Sequence, residues 1–338
     1  MPTAALRAGV LGLGRMGNHH ARIYASLPGV QLVGLVDKRR DNAEKVAGQY
    51  GGQVFETVED LVGKVDLVTV AVPTVHHLAV ARPLIEAGIP VLIEKPLAPT
   101  VEEAQQIVDL ARRHKTIVQV GHTERFNPVV LAMQRMGVEP KFIETHRISP
   151  FTFRSADIGV VSDMMIHDID IVLHMVGAAV ESVDAVGVSV LGPHEDVANA
   201  RVRFANNCVA NLTASRLALK TERKIRVFSE TSYLSVDYQK KAGIAITKDA
   251  NLDVLKLARE HNLEDLSQMG QLDFGRMVKV EPLVANDVEP LRAELESFVG
   301  AVQGKCPVAV SAADGMAAVR LACDIVAEIQ RRPWKIAT

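Results

Sequence analysis

The chain contains little cysteine. Only three occur among its 338 residues, Cys208, Cys306 and Cys323, and they lie far apart. They form no CxxC pair and no Cys/His spacing typical of a zinc site. We therefore interpret them as small buried side chains of a protein in a reducing compartment, and we expect neither disulfides nor a metal.

The sequence also lacks an excess of charge and a long apolar run. The formal net charge is −2 and no basic tract is long, so we expect no nucleic-acid partner. No apolar run is long enough to cross a bilayer, and the first predicted strand begins too early to leave room for a signal peptide. We expect a cytoplasmic protein with no membrane contact.

Length and hydrophobic pattern indicate two domains, because 338 residues exceed what one core usually supports. In the first part, short apolar runs alternate with stretches of helical periodicity. The predicted strands are Arg7–Leu11, Gln31–Val36, Leu67–Ala71, Val91–Ile93 and Ile117–Val120, and the predicted helices begin near Arg15, Asp41, Val75, Val101 and Asn127. Strands that are apolar throughout favour a parallel sheet covered on both faces. We therefore predict an α/β domain with a doubly wound Rossmann sheet over residues 1–123.

The pattern changes after Pro128. A strand is predicted at Phe142–Ile148, a loop at Ser149–Gly159 and an apolar helix at Val160–Val176. The later predicted strands are Val183–Leu191, Ala198–Phe204, Val209–Leu217, Ile225–Phe228, Tyr233–Tyr238 and Ile244–Thr247, followed by a polar connection at Asn251–Gly275 and helices at Glu289–Val302 and Ala312–Arg331. Residues 124–338 are predicted to form a second α/β domain with a large, open, mostly antiparallel sheet, with the last helix free to pack back on the first domain. Because a large sheet needs both faces covered, we expect a homodimer or homotetramer formed through it.

A glycine-rich loop lies between the first predicted strand and the first helix. In this GxGxxG pattern Gly12 permits a tight turn, Gly14 lets the backbone approach a pyrophosphate, and Gly17 lets helix pack on strand. Asp37 ends the second predicted strand, where a carboxylate can accept hydrogen bonds from an adenosine ribose. An ordinary glycine-rich turn is the alternative, but the strand–helix context favours a dinucleotide site.

The choice of dinucleotide stays open. Asp37 would repel a 2′-phosphate, which favours NAD, whereas the adjoining Lys38-Arg39-Arg40 cluster could contact one, so NADP is not excluded. We interpret that cluster as a solvated helix start, and contact with the adenosine end of the cofactor is the alternative.

Polar residues follow the carboxyl ends of the other predicted strands. Pro73, Glu94-Lys95-Pro96 and Gly121-His122 occupy these positions, and ligands bind at this edge of a doubly wound sheet. Lys95 could donate a hydrogen bond to a substrate oxygen and stabilise developing negative charge. A surface lysine at a strand end is the alternative.

The apolar helix at Val160–Val176 carries several polar residues. Asp163 and His167 are four residues apart and share a face, and Asp170 and His174 continue it. A histidine oriented by a carboxylate can act as a general acid or base. The alternatives are a structural helix with an interior histidine, and a metal site; a metal is not expected, because the nucleotide crevice already supplies a hydride acceptor.

Taken together, these motifs resemble the glucose–fructose oxidoreductase/inositol dehydrogenase (Gfo/Idh/MocA) family. The resemblance reaches the final helix through Val308–Gly315. It implies an NAD(P)-binding Rossmann domain, a second α/β domain and frequent oligomers, with Lys95, Asp163 and His167 as the catalytic set. The cofactor-binding residues are expected to be Gly12, Gly14, Arg15, Met16, Gly17, Asp37, Lys38, Pro73, Thr74, His77, Glu94 and Lys95.

Further motifs are similar to the branch of the family that acts on nucleotide sugars. They are the segment Gly121–Pro128, the segment Arg154–Val161 and the run Ile166–Asp170. The expected substrate-binding residues are Lys95, His122, Arg125, Asn127, Arg154, Asp163 and His167. Arg125 and Arg154 could pair with a diphosphate, or could be structural ion-pair residues.

The expected reaction is NAD-dependent oxidation of a secondary sugar hydroxyl, with C3 of a UDP-N-acetylhexosamine as the leading substrate. An inositol or free-sugar dehydrogenase, an NAD-cycled glycosidase and a non-catalytic nucleotide-sensing regulator are the alternatives. A regulator would have no need for Lys95, Asp163 and His167 together.

Overall fold

The computed structural model describes residues 5–152, 158–248, 278–285 and 287–331. The chain divides into two compact units, each built from separated segments. The first comprises Met1–Phe126, Val161–His174 and Val288–Gln330, and the second comprises Asn127–Val160, Met175–Asp287 and Arg331–Thr338. The connection expected at Asn251–Gly275 lies outside the described residues.

A parallel sheet forms the centre of the first unit. Its strands in the described chain are β1 (Leu6–Leu11), β2 (Val30–Val36), β3 (Gln53–Val54), β4 (Leu67–Val70), β5 (Val91–Glu94) and β6 (Val118–Gly121). Their order is β3-β2-β1-β4-β5-β6, and every pairing is parallel. The order reverses between β1 and β4, so the carboxyl ends of these strands open the crevice in which a doubly wound sheet binds ligands. The predicted Rossmann fold is confirmed.

Helices cover both faces of this sheet. They are α1 (Arg15–Ser26), α2 (Arg40–Tyr50), α3 (His77–Glu86), α4 (Val101–His114), α7 (Pro290–Val302) and α8 (Ala312–Arg331). Val68 and Val70 pack in a core with residues of α3, α4 and α8, whereas the intervening Thr69 and the preceding Leu67 point to the opposite side. That side forms a second core with α1, α2 and α7, so the two C-terminal helices complete the N-terminal sheet.

The second unit contains a larger sheet. Its described strands are β7 (Phe142–Ile148), β8 (Val180–Val188), β9 (Val197–Phe204), β10 (Val209–Ser215), β11 (Glu222–Phe228), β12 (Ser232–Asp237), β13 (Ala242–Lys248) and β14 (Val278–Leu283). The order is β14-β13-β12-β11-β7-β10-β9-β8, and among the described strands of this sheet only β7 and β10 pair in parallel. Alternate residues along β9 and β7 are buried, which puts one face of the sheet in a core. The mostly antiparallel sheet is as predicted.

Two further α-helices lie between β6 and β8 in the described chain. Helix α5 (Pro128–Arg135) contacts β12 and β14. A π-helical turn (Val161–Met165) runs directly into α6 (Ile166–Val176), where an uninterrupted α-helix was predicted. Among the residues described, no helix is both long and apolar enough to cross a membrane.

Candidate active site

The glycine-rich loop joins β1 to α1 at the edge of the sheet. Gly12 has φ +80°, and a Cβ there would lie 2.7 Å from the main-chain oxygen of Ala71. A Cβ on Gly17 would lie 1.8 Å from the oxygen of Gly12. Neither position accepts a side chain, because backbone atoms cannot move aside without disrupting the turn.

Asp37 ties the end of β2 to this loop. Its carboxylate accepts hydrogen bonds from the main-chain N–H of Leu13 at 2.6 Å and of Arg39 at 2.8 Å. Within the basic cluster, Arg40 pairs with Glu44 on its own helix, while Lys38 and Arg39 are exposed. The carboxylate therefore lies beside the loop that the sequence assigns to a dinucleotide.

The start of α1 fits a bound pyrophosphate. Its N-cap residue, Gly14, makes no side-chain cap and no acidic residue occupies the first turn, which begins with Arg15 and Met16. A Cβ on Gly14 would meet no heavy atom within 4 Å, so the protein leaves space above the loop. Main-chain N–H groups at such a helix start attract anions. These residues would hold the phosphates of NAD, and Asp37 would hold its adenosine ribose.

His77 links two loops at the same edge. Pro73 precedes a short 3₁₀ turn at Thr74–His76, which leads into α3. The ring nitrogens of His77 lie 3.0 Å from the carbonyl oxygens of Val72 and Pro96. Desolvation by burial lowers the pKa of His77, which favours the neutral ring. The imidazole thus joins the loop after β4 to the loop after β5.

Lys95 and Asp163, 68 residues apart in sequence, meet in the first unit. The Lys95 ammonium donates a hydrogen bond to the main-chain oxygen of Asp163 at 2.7 Å. The carboxylate oxygen Oδ1 of Asp163 lies 3.4 Å from the same ammonium nitrogen. Both side chains stay partly accessible, at 19% and 31% exposure. Asp163 lies in the π-helical turn, a distortion frequent at functional sites. His167 follows one turn later at the start of α6.

Arg125 forms a buried ion pair with Asp170. Its Nε and Nη2 atoms donate to the two carboxylate oxygens at 2.8 and 2.9 Å, and the side chains are only 6% and 1% exposed. Of the two roles left open by the sequence, this geometry favours the structural one. Both carboxylate oxygens of Asp170 are thereby engaged by Arg125.

The remaining predicted substrate residues differ in their surroundings. His122 follows β6 and is 1% exposed, and desolvation by burial lowers its pKa. Asn127 caps α5 by accepting a hydrogen bond from the N–H of Val129 at 3.2 Å. Arg154 lies outside the described residues. Burial also lowers the pKa of His174.

Two polar residues that the sequence analysis did not select adjoin Glu94. His20 of α1 contacts the Glu94 carboxylate at 2.8 Å, and Glu294 of α7 is fully buried nearby. The available signal was a polar residue on the otherwise apolar face of an amphipathic helix, which requires a polar partner in the core.

Comparisons with known proteins identify the family. A family model described as "Oxidoreductase family, NAD-binding Rossmann fold" matches residues 6–122, and one described as "GFO/IDH/MocA C-terminal domain" matches residues 138–235. A UDP-N-acetylglucosamine 3-dehydrogenase from Acidithiobacillus ferrooxidans is 37% identical over 234 residues, covering 69% of this chain and 74% of that protein. The chain belongs to the GFO/IDH/MocA family. The resemblance inferred from the motifs is confirmed, and the protein is an NAD-dependent oxidoreductase.

Two further matches extend the comparison. The solved structure of the Acidithiobacillus ferrooxidans dehydrogenase superposes with a TM-score of 0.85 at 30% identity, covering 97% of this chain and 99% of that one. A scyllo-inositol 2-dehydrogenase (NAD(+)) from Bacillus subtilis is 30% identical over 232 residues, covering 62% of this chain and 67% of that protein. The GFO/IDH/MocA member described here is thus similar to dehydrogenases named for a nucleotide sugar and for an inositol.

Proposed function

We propose that this oxidoreductase oxidises a secondary hydroxyl of a nucleotide sugar, at C3 of a UDP-N-acetylhexosamine. The catalytic role of Lys95, Asp163 and His167 is supported by one observation: the Lys95 ammonium contacts Asp163, which lies one helical turn before His167. The assignment of the substrate rests on the similarity to a UDP-N-acetylglucosamine 3-dehydrogenase over 69% of the chain.

Each catalytic side chain has a distinct task in this proposal. NAD, when bound, would supply the acceptor for the hydride of the ring carbon. His167 removes the hydroxyl proton as general base, and the Lys95 ammonium donates a hydrogen bond to the oxygen as negative charge develops there. Asp163 fixes the Lys95 ammonium through its main-chain oxygen, because that contact is short and partly shielded from solvent. Lys95 and His167 could exchange roles, and separate substitutions with pH–rate profiles distinguish the two assignments.

The remaining assignments concern the cofactor site and the substrate site. We propose that Gly12, Gly14, Arg15, Met16, Gly17, Asp37, Lys38, Pro73, Thr74, His77 and Glu94 form the NAD site, and that His122, Asn127 and Arg154 belong to the substrate site. Arg125 is left out of diphosphate binding because its guanidinium is engaged by Asp170.

Assembly and location are part of the proposal. One face of the eight-stranded sheet is buried, and the opposite face includes half-exposed side chains such as Phe142, Phe228 and Tyr233. Since a second copy could cover that face, we propose a homodimer or homotetramer. The free thiols of Cys208, Cys306 and Cys323 suit a reducing cytoplasm.

A substrate panel tests the proposed function. The purified protein is incubated with NAD, and in parallel with NADP, together with UDP-N-acetylhexosamines, other UDP-sugars, free sugars and inositols. Absorbance of the reduced cofactor reports turnover. We expect reduction with a UDP-N-acetylhexosamine and a product with a 3-oxo group. Turnover of inositol or free sugars alone would replace this substrate assignment with the alternative supported by the Bacillus subtilis relative. Cleavage of a glycoside without net reduction would indicate a glycosidase, and binding without any turnover would indicate a regulator.

A further inference from the structure

A buried cluster of three titratable side chains lies behind Lys95. It consists of His20 on α1, Glu94 at the end of β5 and Glu294 on α7, and each offers one nitrogen or oxygen atom within 4.8 Å of the others. His20 and Glu294 are 0% exposed and Glu94 is 8% exposed. Burial of three such groups is costly unless they satisfy one another, so the cluster has a specific arrangement of charge.

Glu94 connects the cluster to Lys95. One carboxylate oxygen lies 2.8 Å from Nε2 of His20, and the other accepts a hydrogen bond from the main-chain N–H of Lys95 at 3.3 Å. Gly121 on the neighbouring strand β6 leaves space for the Glu94 carboxylate. A Cβ at this position would lie 3.2 Å from the oxygen that accepts the Lys95 hydrogen bond. Lys95 is therefore held at its main chain by Glu94 and at its ammonium by Asp163.

The charges of the cluster follow from its composition. Two carboxyl groups this close in a buried site disfavour the ionisation of both. Desolvation raises the pKa of Glu294 well above its ordinary value, and the charge of Glu94 raises it further, while a hydrogen bond from Thr123 opposes the shift. Asp170 acts in the same direction as Glu94. Glu294 is thus the member that keeps a proton.

Within the described part of the chain, the charged groups that shift the pKa of Glu294 are the acidic Glu94 and Asp170. Tyr24 of α1 is buried and its hydroxyl contacts Thr69, and the Gln119 side chain donates to the main-chain oxygen of Glu294 at 3.3 Å. Desolvation by burial lowers the pKa of His77 and of His122, although the charge of Glu94 acts to raise both pKa values.

We propose that His20 and a protonated Glu294 hold the carboxylate of Glu94 in the arrangement that positions Lys95. The inference rests on the proposed catalytic role of Lys95. His20 and Glu294 are positioning residues, because they act on Lys95 through Glu94. The same three atoms could also bind a divalent cation, but 2.8 Å between His20 and Glu94 is the spacing of a charge-assisted hydrogen bond.

Infrared spectroscopy tests the protonation state without any substrate. The difference spectrum of wild type minus Glu294→Gln at pH 7 should contain the carbonyl band of a protonated carboxylic acid. Carboxylate bands in its place would overturn the proposal. Glu296→Gln, at an exposed position on the same helix, is the matched control and should yield carboxylate bands. A melting temperature raised by Zn²⁺ or Mn²⁺ in wild type, and unchanged by them in Glu294→Gln, would show a metal site and would also overturn it.

Kinetics test the positioning role. His20→Ala should lower kcat about 10- to 100-fold, because small displacements of a catalytic group are costly, while Kd for NAD changes less than about threefold. His20→Gln keeps an N–H donor for Glu94 and should recover most of that loss, and Glu294→Gln should stay within about twofold of wild type. Wild-type kcat in His20→Ala, or equal losses in the Ala and Gln variants, would contradict the proposal. If Lys95→Met retained full activity, the proposed function would fail while the infrared result on the cluster stood.

Discussion

The buried pair of Arg125 and Asp170 yields a prediction about stability that also decides the role of Arg125. Asp170→Asn keeps the shape of the side chain but removes the charge that balances the guanidinium. Both side chains are almost inaccessible, at 6% and 1% exposure, so water cannot compensate. Removing one partner of such a buried pair costs about 3–5 kcal/mol of the free energy of unfolding. We expect a loss in this range.

Urea denaturation followed by circular dichroism measures this loss. Arg125→Met should cost a similar amount, and the double variant Arg125→Met/Asp170→Leu should be less destabilised than the sum by at least about 2 kcal/mol. The matched control is the exposed pair of Arg112 and Asp109, which also has an N–O distance of 2.8 Å. There Asp109→Asn should cost less than about 1 kcal/mol.

One outcome would refute the structural role of Arg125. If Arg125→Met left stability unchanged but raised KM for UDP-sugars and not for free sugars, its guanidinium would be binding the diphosphate. The reasoning from burial and bidentate geometry would then be wrong.

Three further predictions concern the cluster and the cofactor loop. Because burial raises the pKa of Glu294, the folded state holds a proton that the unfolded state releases above pH about 4.5, so the free energy of unfolding falls as pH rises. The variant Glu294→Gln lacks this proton and should therefore gain about 1.4 kcal/mol over wild type per pH unit above 4.5, while the folded acid stays protonated. A difference in the free energy of unfolding between the two proteins that stays constant from about pH 4.5 to 7 would contradict this. Gly17→Ala should abolish NAD binding measured by calorimetry or prevent folding, since its Cβ would lie 1.8 Å from a main-chain oxygen, whereas Gly48→Ala, with nothing within 4 Å, should be neutral or slightly stabilising. Asp37→Ser should raise kcat/KM with NADP relative to NAD, because it removes the carboxylate that repels a 2′-phosphate; an unchanged ratio would exclude Asp37 as the determinant.

Local sequence patterns were sufficient to predict most elements of the Rossmann sheet. The apolar runs at β1 and β4 and the helix start at Arg15 agree with the structure to within a residue, because burial on both faces leaves a continuous apolar signal. The two-residue strand β3 (Gln53–Val54) was missed, since its residues are exposed or half-buried and too few to show a period.

Long-range pairings could not be predicted in the same way. The helical spacing predicts that Asp163 orients His167, four residues away; the contact of the Asp163 carboxylate with Lys95, 68 residues away, has no local signal in the sequence. Residues Val161–His174 were predicted to belong to the second domain, whereas contacts group this segment with the first unit. The π-helical turn and the pairing of Arg125 with Asp170 depend on packing between distant segments, which helical spacing alone does not specify.

The last helix approaches strand β6 closely at a glycine of the family-like segment. Gly315 lies in the family-like segment Val308–Gly315, and a Cβ there would come within 2.6 Å of Val120 on β6. Val120 also donates its N–H to the main-chain oxygen of Val310 at 2.9 Å, so this segment packs directly against the edge of the sheet. Close packing against β6 therefore explains the glycine at this position, and the hydrophobic periodicity of the sequence does not indicate this contact.

The most direct test of the catalytic account is turnover of Lys95→Met with NAD and UDP-N-acetylglucosamine, compared with Lys305→Met, which changes an exposed lysine of the same unit. Loss of the ammonium should lower kcat by about a hundredfold or more, because the developing charge on the substrate oxygen loses its hydrogen-bond donor, while NAD still binds. Full activity in Lys95→Met, with NAD affinity unchanged, would contradict the account.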